Sequence, residues 1–302
     1  MLLSRAVKIS PLPRLGVKRD HMKVEDFTDI LYEKDEETGI VTLTLNTPKR
    51  KNALSPKTFY ELYWAAEEME NDETAMAMII TGAKDPDSSD PTTEAFSSGG
   101  YFNPSVLESL SEEEKAQIDF TDIAQKKYTL RMWEFNKPVI AAINGLAIGG
   151  AFTMALSCAD LIYMSEHAWV TLPFINLGIL PELASTYLLP RLIGFQKAKE
   201  IIYFGEKIDA QKLFELGLVN RVLPHEELIP HAREMAMKLI PPSGAGLAIK
   251  LAKQALHRPL MDAVKEALDM ENKGLNITFS TSDFMEAMTA RKEKRAPVFQ
   301  GK

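Results

Sequence analysis

KPVIAAINGLAIGGAFTMALSCADLIYMSEHAWVTLPFINLGILPELASTYLLPR, residues 137–191, decides how this chain is read. Val139 to Ile143 is a short apolar run, as in a strand covered on both faces. Asn144-Gly145 is a turn dipeptide, and Gly149-Gly150 opens an apolar helix that ends before a second strand. One carboxylate, Glu182, then sits in a long apolar run, GILPELAS. No charged residue lies between Pro138 and Ala159, a run long enough to span a bilayer, which needs about 20 apolar residues. The glycine breaks divide it into a buried strand and a buried helix instead, so no membrane span is expected.

Toward the N-terminus, IVTLTL at Ile40–Leu45 alternates Val41, Leu43 and Leu45 with Thr42 and Thr44, the period of a strand. TPKRKNALS follows, a polar turn with the basic triplet Lys49, Arg50, Lys51, and then Ala53 and Leu54. Ser55 can cap, and Pro56 can start, a helix running to about Glu70. Residues 75–81 read as a second buried strand. The loop GAKDPDSSDPTTEAFSSGGYFNP is too rich in Asp, Ser, Pro and Gly to be an element, and loops of this length are usually functional or disordered. Its end, Phe96-Ser97-Ser98-Gly99-Gly100, looks like a turn where a ligand meets bare backbone. The acidic segment 111–134 has helical spacing.

Strand, helix, strand, loop, helix, strand, helix, strand is the order of an α/β protein. Beyond Pro190 the pattern is helical only, with helices expected at 196–204, 210–216 after the cap Asp209, 226–239, 247–257, 261–272 and 283–294 after Ser282. The 302 residues, 45% hydrophobic and 25% charged, suit an ordinary soluble globular protein. A net charge of -7 argues against nucleic acid as a partner. The one cysteine, Cys158, excludes an internal disulfide and fits a reducing compartment. The first 23 residues carry Arg5, Lys8, Arg14, Lys18 and Arg19 with no acid before Asp20. That suits a mitochondrial transit peptide, a disordered extension, or a start site upstream of Met22. The expected location is the cytoplasm of a bacterium, or the mitochondrion if the extension is a targeting peptide. The C-terminal Phe299-Gln300-Gly301-Lys302 is not a peroxisomal Ser-Lys-Leu signal.

Either glycine pair, Gly99-Gly100 or Gly149-Gly150, can present a backbone N–H to a ligand, the second at a helix N-terminus. Two such donors converging on one oxygen make an oxyanion hole. Singly, each is more simply a turn and a close helix crossing. The glycine spacing is not that of a dinucleotide fingerprint or a P-loop, and Ser98 lacks the G-x-S-x-G elbow of a serine hydrolase. The five histidines show no ligand spacing, so no metal site is expected. Cys158 reads as core packing. Glu182, desolvated among apolar neighbours, would have a raised pKa and serve as a base. Alternatively it caps the helix that follows.

Taken together, LNTPKRKNALS (45–55), AFSSGG (95–100), KPVIAAINGLAIGGA (137–151), ADLIYMSEHA (159–168), LGILPE (177–182) and ELGLVNRV (215–222) resemble the crotonase superfamily, the enoyl-CoA hydratase/isomerase family. The resemblance runs from about residue 28 to the C-terminus. It implies an α/β crotonase (ClpP-like) spiral of ββα units over 28–225, after a basic extension at 1–27, and a helical C-terminal trimerisation region at 226–302. A homotrimer or hexamer is implied with it. So are an acyl-CoA thioester substrate, no cofactor beyond the CoA the substrate carries, and a thioester oxygen held by the amides of Gly100 and Gly150. Ala53 and Leu54 would line the pantetheine path, with Ser98 a further substrate- or CoA-binding candidate, Lys49, Arg50 or Lys51 available to the CoA phosphates, and Phe279 and Lys294 to the adenine end. Tyr101, Phe102, Trp133, Phe152 and Phe174 are the aromatic residues that could shape an acyl pocket.

Where the family's hydratases carry two glutamates, this chain has Thr153 and Phe174. Glu182 instead matches the single glutamate in the L-G-x-x-x-E segment of peroxisomal-type Δ3-Δ2-enoyl-CoA isomerases. That implies double-bond migration through a dienolate, with Glu182 moving the proton. The alternatives are hydratase, thioester hydrolase or ring-acyl-CoA lyase chemistry, or a non-catalytic acyl-CoA-binding protein.

Overall fold

The computed structural model describes residues 22–101, 106, 110–118 and 122–302. Most of the basic extension and the pocket candidate Phe102 lie outside those residues. In chain order the elements are β1 (Ile30–Lys34), β2 (Ile40–Leu45), α1 (Pro56–Asn71), β3 (Ala77–Gly82), β4 (Ala95–Ser97), α2 (Glu112–Gln117) and α3 (Thr129–Glu134). Then come β5 (Val139–Ile143), β6 (Leu146–Ile148), α4 (Gly150–Cys158), β7 (Leu161–Ser165), β8 (Trp169–Thr171), α5 (Ser185–Ile193) and α6 (Phe195–Phe204). The chain closes with β9 (Ile208–Asp209), α7 (Ala210–Glu215), β10 (Arg221–Leu223), α8 (Leu228–Leu239), α9 (Gly246–His257), α10 (Met261–Thr278) and α11 (Ser282–Glu293).

The main sheet has the order β1-β2-β3-β5-β7-β10, parallel except for the β1–β2 hairpin. The period of two divides its residues between two cores. Val41, Leu43, Leu45, Met78, Ile80, Val139, Ala141 and Ile143 face the larger, with α1 and α4. Ile40, Ala77, Ile79, Ile140 and Ala142 face the other, closed by Leu228, Ala232 and Ala236 of α8. Residues 138–159, long enough for a membrane span, are β5, a turn, β6 and α4, and no described helix is long and apolar enough to cross a membrane.

A second sheet, β4-β6-β8-β9, is built from strands of two or three residues, too short to show a period in the sequence. Three of them, β4, β6 and β8, run parallel. Ligands of open α/β sheets bind beyond the carboxyl ends of the strands, and the segments leaving these three ends carry residues 98–101, 149–150 and 172–182.

Three expectations need correction, and one strand, β1, is additional to those expected. β1 lacks a signal of its own and is anchored from a distance: the buried Glu61 of α1 accepts N–H bonds from Thr28, Asp29 and Ile30 at 2.8 to 3.0 Å. Residues 111–134 are not one helix; α2, a π-helical turn (Ile123–Tyr128) and α3 break the run. The region beyond Pro190 is not helical only, because Arg221–Leu223 joins the main sheet beside β7. Thr281, not Ser282, caps α11, accepting from Phe284 N at 3.2 Å.

Candidate active site

Gly149 and Gly99 set the backbone of the site. Gly149 has φ 54° and ψ -120°, a combination closed to residues with a Cβ. This conformation sends its N–H to Thr171 O (2.8 Å) on β8 and gives its carbonyl to Phe152 N and Thr153 N, which opens α4. The N–H of Gly150, in the first turn, meets no acceptor among the described residues, as helix N-termini leave their first donors free. Gly99, at φ 81°, is pressed on the same point: a methyl there would overlap Ile148 O and lie 3.8 Å from Gly150 N.

The Gly99-Gly100 turn is stitched to the basic turn by main-chain bonds. Leu54 N donates to Gly99 O (2.8 Å), Tyr101 N to Leu54 O (2.9 Å), and Ser98 N to Lys51 O (2.8 Å). These make Leu54 and Gly100 a parallel bridge in which Gly100's own N–H points away from Leu54, on the side where β6 runs. That N–H also meets no acceptor among the described residues. Ser98 spends its hydroxyl on Arg50 O (3.1 Å). Asn52, itself left-handed at φ 53°, fixes the basic turn from below through Nδ2 bonds to Ala83 O and Ala95 O. Arg50 is committed to Asp29 (3.4 Å) and to the face of Tyr101, 4.6 Å from the ring centre. Lys49 and Lys51 are the exposed cations of the triplet.

Glu182 comes up on the other side. It is half-buried, and a methyl at Gly150 would overlap its Oε1, so carboxylate and glycine share one corner of the site. Leu183 and Ala184 follow at φ 60° each, two consecutive non-glycine residues in the left-handed region. Glu182 does not cap α5 with its side chain. The donors at that helix start go instead to Glu271 of α10: Ala184 N to Oε2 (2.7 Å), Thr186 N to Oε1 (3.0 Å) and Thr186 Oγ1 to Oε1 (2.6 Å). Glu271 is 1% exposed, and burial pushes its carboxyl up to about 7 against the hydrogen bonds that oppose the shift. It was not among the expected site residues. Its signal was present, because Val264, Leu268, Glu271 and Leu275 form one buried stripe at helical spacing with a carboxylate in it.

The two positions where the hydratase pattern expects acids pack on Gly149. Thr153 is fully buried, with Oγ1 3.4 Å from Gly149 O, and the ring of Phe174 lies 3.6 Å from where a Gly149 methyl would be. Ala53 and Leu54 are buried beside the stitched turns. Phe152 is sealed in the main core at 1% exposure, so it does not face open space. Trp133 sits in a small separate cluster with Ala184, Val264 and Leu268, beneath the turn after Glu182, and stacks on His257. Phe279 packs edge-on against Phe284, and Lys294 is an exposed residue ending α11. The Cys158 thiol is buried and pushed up to about 12, which fits a core role. Among the described residues no group of three or more His, Cys, Asp or Glu could hold a metal.

The family model described as Enoyl-CoA hydratase/isomerase matches residues 35–302. A short-chain-enoyl-CoA hydratase of Clostridium acetobutylicum is 35% identical over 89% of this chain and 97% of its own length. A crotonyl-CoA hydratase of Syntrophomonas wolfei is 33% identical over 91% of this chain and 99% of its own. Among solved structures, an enoyl-CoA hydratase/isomerase from Pseudoalteromonas atlantica superposes with a TM-score of 0.76 at 26% identity, covering 90% of this chain and all of that one.

Proposed function

Because this chain belongs to the enoyl-CoA hydratase/isomerase family and has the crotonase fold of its solved relatives, we propose that it is a Δ3-Δ2-enoyl-CoA isomerase with Glu182 as its proton carrier. The observation that carries this reading is the shared corner: Glu182 Oε1 lies against Gly150, while Thr153 and Phe174 bring no acid to Gly149.

The thioester oxygen of a 3-enoyl-CoA sits between the N–H groups of Gly100 and Gly150. Glu182 takes a proton from C2, and the electrons of the broken C–H bond spread over C1, its oxygen, and the C3–C4 double bond. Glu182 returns the proton to C4, leaving the double bond between C2 and C3 with no change in mass. Each amide of such a hole is worth about 10² to 10³ in rate, and a positioned base about 10² to 10⁴. Lys49 and Lys51, exposed on the turn that is stitched to the Gly99-Gly100 turn, are the cations we assign to the CoA phosphates. A homotrimer or hexamer would cover the exposed Leu247, Leu256, Met270 and Ile277 of α9 and α10.

The test is conversion of 3-hexenoyl-CoA to the conjugated 2-enoyl thioester, followed by absorbance, in the wild type and in Glu182→Gln. Abolition in the variant is expected, and full activity there ends the assignment. The names of the similar proteins favour a second reading, hydration with Glu182 as the sole carboxylate. Mass spectrometry separates the two, since hydration adds the mass of one water and isomerisation none.

A further inference from the structure

We propose that Glu271 is a positioning residue that holds the Leu183-Ala184 turn so that Glu182 stays aimed at Gly150. The inference rests on Glu182 being the base. The three donors Glu271 accepts all come from the two residues Ala184 and Thr186. They lie 85 to 87 residues earlier in the chain, so this bond set exists only to join α10 to that turn. A turn with two successive non-glycine residues in the left-handed region costs on the order of 1–3 kcal/mol per residue and persists only when its surroundings impose it. Glu271 imposes it from one side, with both oxygens engaged.

The same helix grips the chain on the other side of Glu182. One turn along α10, Gly274 lets the helix pass close to Leu180, whose Cδ2 would have to move to admit a methyl there. Leu180 lies two residues before Glu182 and Ala184 two after, so a single helix face fixes both flanks. Leu268 and Val264 extend that face, packing with Ala184 and Trp133. A hydrophobic residue at 271 would fill the space but leave the buried Ala184 N–H without an acceptor and remove both Thr186 bonds. A carboxylate serves because it offers lone pairs to three donors at once.

The test compares Glu182→Gln, Glu271→Gln and Thr186→Val in the full chain, reading kcat, KM and the folded fraction. Gln keeps the size of Glu271 but turns an NH2 toward one of the donors. Displacing a catalytic group by about 1 Å can cost about 10²-fold, so Glu271→Gln is expected to lower kcat about 10- to 100-fold with KM within about twofold. In the Glu182→Gln background it should cause no further loss. Thr186→Val, at an exposed residue, should lower kcat about threefold and decides the matter if Glu271→Gln fails to fold. Wild-type kcat in a folded Glu271→Gln, or activity lost only in proportion to unfolding, overturns the proposal. If Glu182→Gln itself retains activity, the isomerase reading fails instead, and the two failures are told apart.

Discussion

Two turns flank one site and are held by different means. The Gly99-Gly100 turn is stitched to residues 51–54 chiefly by main-chain hydrogen bonds, to which the Ser97 hydroxyl adds one by accepting from Gly99 N (3.1 Å) and the Ser98 hydroxyl another on Arg50 O. The turn carrying Glu182 takes its main tether from one buried carboxylate on a helix far along the chain. The lesson is that the turn proposed to activate the thioester and the residue proposed to move its proton are built on separate supports. A backbone-held turn fails on a methyl, whereas a side-chain-held turn fails on the loss of its acceptor oxygens.

The strongest way to break the first turn is Gly99→Ala. Alanine at φ 81° would also collide with the Ile148 carbonyl, so a stability loss of about 3 kcal/mol and loss of activity beyond about 10²-fold are expected. Denaturant midpoints and turnover check it; wild-type behaviour would mean the turn is not closed as described. Gly150→Ala sharpens the contrast, since it keeps the N–H and the helix but pushes the Glu182 carboxylate aside. Here kcat should fall about 10²-fold with nearly unchanged stability, because the obstructing atom ends a flexible side chain.

A smaller effect concerns pH. In the folded protein Glu271 keeps its proton up to about 7, while the unfolded chain releases it near 4.5. The folded state therefore binds the extra proton between those values. Stability present below the lower value is lost as pH rises through the upper one, by at most about 3 kcal/mol. The charged groups on the packed elements are engaged elsewhere: Lys126 with Asp269, Asp122 with Asn272, and Arg191 with Tyr187. Urea midpoints of wild type and Glu271→Gln at pH 5 and pH 8 should show the slope only in the wild type. The smallest effect is expected from Ser98→Ala, which removes one hydroxyl bond to Arg50 O from a turn already closed by main chain; activity should change by less than about twofold.

The difference between the turns also explains what the amino-acid sequence reveals. Glycines at 99, 100, 149 and 150 are legible because backbone demands select residue types directly, and β2, β5, α1 and α4 are legible because burial imposes a period. Glu182 is conspicuous because it is polar in an apolar run. Strands β4, β6, β8 and β9 carry too few residues for any period, though they set the floor of the site. β1 owes its place to Glu61 and the Glu182 turn to Glu271, partners 31 and 87 residues away, and no local window contains both ends. Phe152 looked like a pocket residue because aromatic type suggests contact with an acyl chain, yet the hydrophobic effect places such a ring in the core just as readily.

The bridge between Leu54 and Gly100 has a bearing on how the chain comes alive during synthesis. Four residues proposed to meet the carrier phosphates and the thioester oxygen, Lys49, Lys51, Gly100 and Gly150, precede Cys158, whereas the tether proposed to steady Glu182 arrives with α10. In order of synthesis, the groups proposed to bind therefore precede the helix proposed to steady the base.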